Sequence, residues 1–299
     1  MPERVRAVHG GGGLRSGLAS RALGARCAAL CAAAVLALAA CAAPPSTPPS
    51  APPSASMAAG GAADAAQAPP ASILWVGNSF FFYNNSLHSH FGKLARSAGV
   101  KVRGVSATIS GAGLDWHDMA ALLRPAGLGG YSFTRDNEIR FEPPGRQFDA
   151  VIMMDCSQCP LHPKLAQRFQ ATVREDAAIA RARGVRPILF MSWAYKDRPA
   201  MTARLAAAYT AAGKANGALV IPAGLAFERA LRSHPEIELY AADKRHPSLA
   251  GTYLAACTVY ATLFDKSPAG LSYTAGLSPE VAGELQTAAW KAARDYRGS

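Results

Sequence analysis

The sequence predicts an α/β fold, a parallel sheet covered by helices on both faces. Two observations point there. Short strand-like apolar runs alternate with segments of helical period. The stretch they occupy, 72–299, holds 228 residues, which suits one domain with a sizeable core.

The elements follow in chain order. Residues 1–41 are expected to be an export signal. Arg4, Arg6, Arg15, Arg21 and Arg26 make a basic start, and the apolar run Cys27–Ala40 is too short to span a bilayer comfortably. It closes with Leu38-Ala39-Ala40-Cys41, small residues before a cysteine, which predicts either a lipidated Cys41 or an ordinary cleavage site nearby. Residues 42–71 are mostly Ala, Pro, Ser and Gly, with Asp64 as the one charge. Such a composition cannot bury a core and predicts a tether.

Strands are expected at 73–76, 101–106, 150–154, 187–192 and 218–221. Leu87, Phe91, Leu94 and Ala98 mark a helix ended by Gly99. Leu165, Phe169 and Val173 open another, closed by Gly184, and Met201, Leu205, Tyr209 and Ala212 mark a third. Leu249, Tyr253, Cys257, Tyr260 and Phe264 give the stripe of a fourth. Ser278-Pro279-Glu280 starts a fifth, with an N-cap, Pro at the first position and an acid in the first turn. Residues 118–148 are rich in Gly and Pro and break the alternation, so they are expected to be an insertion with short extended pieces. No internal repeat is visible.

The formal net charge is +11, of which five leader Arg against Glu3 account for +4. The remaining cations are dispersed, with no Lys/Arg run longer than two, which argues against nucleic-acid binding. Three of the six cysteines lie in the leader, leaving Cys156, Cys159 and Cys257, an odd number with at least one free thiol.

Gly77-Asn78-Ser79 ends the first strand-like run. This puts a hydroxyl at the carboxyl edge of a sheet, where open α/β folds bind ligands. Serine needs an adjacent base, and the base needs an orienting partner. Downstream, Asp243-Lys244-Arg245-His246 supplies both: His246 to take the proton and Asp243 to hold the imidazole. Taken singly, Ser79 fits a helix cap and His246, before Pro247, a loop histidine; together they predict ester hydrolysis.

From these blocks the chain resembles the SGNH hydrolase family, a branch of the GDSL-type lipases and esterases, over about residues 72–265. The family's Gly-Asp-Ser stands here as Gly77-Asn78-Ser79, and its Asp-x-x-His is intact at Asp243 and His246. Ser110-Gly111-Ala112-Gly113-Leu114 resembles the block that supplies an oxyanion-hole glycine, with Gly111 the best match. The block that ends in an Asn donor is replaced by Asp155-Cys156-Ser157-Gln158. The resemblance implies a flavodoxin-like three-layer α/β/α sandwich of about five strands, ordered 2-1-3-4-5. It implies an oxyanion hole built on Ser79, Gly111 and Gln158, or Ser157 in place of Gln158. It implies a serine esterase that needs no cofactor and no metal. The substrate would be an acyl ester, an acetylated glycan being one candidate. A silent glycan-binding lipoprotein and an acyltransferase would use the same cleft. The signal and Cys41 would place the protein at the cell envelope, anchored by lipid to the outer membrane and facing the periplasm.

Asn78, Trp116, Trp193 and Tyr195 fall near strand ends on this edge and are expected to line a substrate pocket; His117 lies there too. Cys156 and Cys159 are expected to form a local disulfide or to stay as two thiols, and with His162 they lack a fourth zinc ligand. Cys257 is expected in the core, His88 and His90 on different faces of the first helix, and Asn84 and Asn85 in its preceding turn and cap.

Overall fold

The structure is a computed structural model and describes residues 68–125, 131–133, 136, 138–141 and 148–298. The expected signal, Cys41, and residues 42–67 of the tether lie outside the described residues.

Five parallel strands form the sheet. β1 (Ser72–Gly77) pairs with β2 (Arg103–Thr108) on one side and with β5 (Ala150–Met153) on the other. β6 (Arg186–Phe190) and β7 (Leu219–Ile221) follow, giving the order β2-β1-β5-β6-β7, the expected 2-1-3-4-5 among parallel strands. β1 and β5 are buried along almost their whole length, which is why their sequences are continuously apolar rather than alternating. β2 lies two residues further along the chain than expected, its register fixed by Ser72 opposite Arg103.

Between β2 and β5 the expected insertion holds α3 (Met119–Leu122), capped by Asp118, and an antiparallel pair, β3 (Tyr131–Phe133) with β4 (Ile139–Phe141). Its remaining segments lie outside the described residues.

Two helical layers cover the sheet. α4 (Ala166–Ala182) and α5 (Met201–Ala215) form one; α2 (Leu87–Ser97), α6 (Ala223–Ser233) and α7 (Leu249–Phe264) form the other, with α8 (Pro279–Arg297) packed on α6 and α7. α7 is buried nearly all round because α2, α6 and α8 surround it, so its expected stripe widens to almost every residue. Its Cys257 is fully buried and free, its thiol pushed up by burial.

α6 has no counterpart among the expected elements. Its buried face is Ala223, Gly224, Ala226, Phe227 and Ala230, mostly too small to register as an apolar stripe. The small size is required: a Cβ on Gly224 would come within 2.4 Å of the Ser192 carbonyl oxygen.

One carboxyl interrupts the core face of α4. Asp176 is only 4% exposed, between Val173 and Ala180, and its Oδ2 has no hydrogen-bond partner. Burial, with Glu175 and Asp118 nearby, pushes it up to about 7.

Candidate active site

β1 delivers Gly77 to the carboxyl edge of the sheet, and the chain turns at once into α1 (Ser79–Phe82). Asn78 caps that turn, its Oδ1 accepting from the Phe80 N–H at 3.2 Å. Its side-chain NH2 donates to the carbonyls of Ala112 at 3.0 Å and Asp155 at 3.2 Å, tying the nucleophile turn to the loops after β2 and β5. Asp155 continues the stitching: its Oδ1 accepts from the N–H groups of Leu114 at 2.8 Å and Cys156 at 2.7 Å. Burial raises the Asp155 pKa, and these two amides oppose the rise.

The structure brings Ser79, His246 and Asp243 together across the fold. Ser79 Oγ lies 2.7 Å from His246 Nε2, and His246 Nδ1 bonds Asp243 Oδ2. A carboxylate can only accept, so Nδ1 carries the proton and Nε2 is left to accept from the serine hydroxyl. The second oxygen of Asp243 accepts from the N–H groups of Arg245 and His246, each at 3.0 Å, and Lys244, just before them, takes φ +64. Burial pushes the Asp243 carboxyl up, but the His246 ring and these two amides outweigh it and hold it at about 2.

The imidazole is fixed on both sides. Tyr83 stacks on it at 4.1 Å between centroids, and the edge contact of Phe80 is at 5.3 Å. Asn84 holds the loop behind it, its NH2 donating to the Pro247 carbonyl at 2.9 Å and to Thr252 Oγ1 at 2.8 Å. To do so Asn84 adopts φ +53, a conformation asparagine tolerates. Its own carbonyl accepts from buried His90 Nε2 at 2.6 Å, and His90 Nδ1 accepts from the Tyr273 hydroxyl at 2.8 Å. Asn84 was expected only in the turn and cap before the first helix, and His90 only on one face of that helix; the carbonyl that Asn84 grips lies 163 positions away, beyond any local pattern.

Two expected roles, the pocket-lining ones of Asn78 and Trp193, are corrected. Asn78 is buried and its amide is spent on the loops, so it lines no pocket. Trp193 is fully buried, stacked between Phe80 at 4.8 Å and Phe227 at 4.2 Å, and its Nε1–H donates to the Arg245 carbonyl at 3.0 Å. It supports the His246 loop from below. Gln158, expected as an oxyanion donor, is exposed and lines a neighbouring groove that holds none of the triad residues. The Ser157 hydroxyl is paired with the Tyr195 hydroxyl at 2.6 Å.

Trp116 is 63% exposed, free to meet a ligand. The Tyr195 ring lies under the Arg245 guanidinium at 4.9 Å and lines a cavity of about 230 Å³ with Phe227 and Tyr240. His117 Nε2–H donates to the Gly77 carbonyl at 3.0 Å, two residues before the nucleophile. Gly111 sits in the loop after β2 at φ +72, a conformation glycine adopts freely. Ser79 opens its helix, and the amides of a first turn have no acceptor within the helix. Cys156 and Cys159 form a disulfide. With both sulfurs so bonded, the cluster of Asp155, Cys156 and Cys159 offers no thiolate to a metal.

No protein-family model matches the chain, and no curated protein matches it. Solved structures do. A DUF4886 family protein from Bacteroides uniformis superimposes with a TM-score of 0.56 at 19% identity, over 74% of this chain and 93% of that one. A candidate SGNH hydrolase from Slackia heliotrinireducens gives 0.44 at 26% identity, over 64% and 97%, and TesA gives 0.46 at 19%, over 63% and 96%. The first likeness establishes the fold and no more; the chemistry rests on the side chains described above.

Proposed function

We propose that the protein is a serine ester hydrolase of the cell envelope, held to a membrane by lipid on Cys41. The observation that carries the hydrolase reading is the Ser79–His246–Asp243 relay, with the serine hydroxyl 2.7 Å from an imidazole nitrogen left free to accept its proton. In this proposal His246 takes the Ser79 proton as Oγ attacks the acyl carbonyl. The tetrahedral oxyanion is met by the N–H groups of Ser79 and Gly111. With Gln158 lining its own groove and Ser157 paired with Tyr195, the hole rests on those two backbone donors. His246 then gives its proton to the departing alcohol, leaving an acyl group on Ser79. A water, deprotonated by the same imidazole, attacks that acyl group; the acid leaves and Oγ recovers its proton. Asp243 stabilises the imidazolium at both stages. An acetyl ester on a glycan is the proposed substrate class, with the exposed Trp116 as a stacking surface for a sugar ring. Labelling by a fluorophosphonate at Ser79, together with turnover of short p-nitrophenyl esters, tests the proposal. Failure of Ser79 to react would leave a silent binding protein in its place.

A further inference from the structure

A second feature opens on the same edge of the sheet. A groove of about 330 Å³ lies between the loop after β5 and the start of α5, with Leu161, Pro163, Ala200 and Met201 as its apolar lining and Gln158, His162, Arg198 and Arg204 as its polar one. No acidic side chain lines it. Among the described residues neither Arg198 nor Arg204 has a carboxylate partner, and Arg204 reaches only the Leu161 carbonyl at 3.5 Å. The nearest acid in sequence is Asp197, which is exposed.

Folding does not call for these charges. α5 starts here with no acid in its first turn and no side-chain cap. The positive end of a helix dipole disfavours cations, yet Arg198 stands just before it and Arg204 in its first turn. An arrangement that local electrostatics opposes, around an open cavity, fits an anion better than it fits stability. The groove's loops are also linked to the loop that carries His246. β5 is hydrogen-bonded to β1, whose end carries Ser79, and paired strands lie only about 4.8 Å apart. The Ser157–Tyr195 hydroxyl pair joins the groove's two loops, and Arg245, next to His246 in the chain, lies over the Tyr195 ring.

We propose that this groove receives an oxyanionic group, a carboxylate or a phosphate, carried by the ester substrate itself. This rests on the hydrolase proposal above and specifies which esters it favours. The planar donor forks of two arginines suit either oxyanion. The test uses three matched aryl acetates whose alcohol portion bears a carboxamide, a carboxylate or a phosphonate. At low salt the charged esters should exceed the neutral one in kcat/KM by about tenfold, the worth of one charge-assisted hydrogen bond, mainly through KM. Raising ionic strength from about 0.01 to about 1 M shortens the screening length from about 30 to about 3 Å and should erase most of that advantage. In the double variant Arg198→Gln/Arg204→Gln the charged-to-neutral ratio should fall towards one. Which charged ester is preferred identifies the oxyanion. Binding of the same compounds to the Ser79→Ala protein, read by calorimetry, separates two failures. No turnover of any ester would sink the hydrolase proposal. Equal turnover and equal binding of neutral and charged esters, or a ratio unchanged in the double variant, would overturn the groove assignment alone.

Discussion

Replacing Asp176 with Asn should stabilise the protein at neutral and alkaline pH and leave it nearly unchanged in acid. The carboxyl sits on the core face of α4 with an unpartnered oxygen, and burial raises it from the ordinary 3.8 to about 7. Its neutral form is the one the fold prefers. Below about pH 4 both folded and unfolded chains hold the proton, and no ionisation penalty applies. Between about 4 and 7 only the folded chain holds it, so stability falls as pH rises, by at most about 1.4 kcal/mol per unit. Above about 7 both are ionised, and the full penalty of about 4 kcal/mol is present. An Asn has the same shape and no charge to bury. Urea unfolding of the parent and variant from pH 4 to pH 9 measures the difference. The two stability curves should meet near pH 4 and diverge to about 4 kcal/mol by pH 8, a Tm gain of about 10 °C for a domain of this size. Parallel curves, or a variant less stable at pH 8, would refute the claim that Asp176 is a buried carboxyl without compensation.

Ser79→Ala should lower ester hydrolysis by about 10³-fold or more with unfolding behaviour unchanged, and adding His246→Ala should cost little further, because the relay acts as a unit; near-parental turnover in either variant would remove the assignment. The Asp243 carboxyl should titrate by carbon NMR with a midpoint near 2 and move towards about 4 in His246→Ala. The same shift means that its modest, largely solvent-exposed contribution to stability is present above about pH 4 and lost as pH falls towards 2. Trp193→Phe should keep the aromatic stack but leave the Arg245 carbonyl unpaired, costing about 1–3 kcal/mol of stability, whereas Trp193→Ala should cost about 3–5. Cys41→Ser should release the protein from the membrane fraction or block its processing; unchanged fractionation with normal processing would end the anchor proposal.

The parallel strands could be read from the sequence because burial on two faces leaves an unbroken apolar run, as in Ile73–Val76, and the relay because Asp243 and His246 are local in sequence and Ser79 closely follows a strand. The failures share a different cause. α6 hides its contact face behind alanine and glycine. Trp193 follows a strand at the ligand edge, yet its ring turns inward between Phe80 and Phe227. Asn78 takes the place of a recognisable motif residue but is consumed in joining three loops. In each case the outcome depends on which distant residue comes to lie opposite, something no spacing along the chain encodes.

The turn that carries both Asp243 and His246 reduces the assembly of the site to one adjustment. Acid and base are set against each other by four consecutive residues and the carboxylate's own hold on the Arg245 and His246 amides, before any long-range contact is made. What the remaining chain must supply is a single relation between two rigid pieces, the start of α1 and that turn. Asn84 and Trp193 span this gap, one gripping Pro247 and the other Arg245. The tolerance of the site to sequence drift should therefore be narrow at those two residues, and at Phe80 and Tyr83, whose rings hold the imidazole.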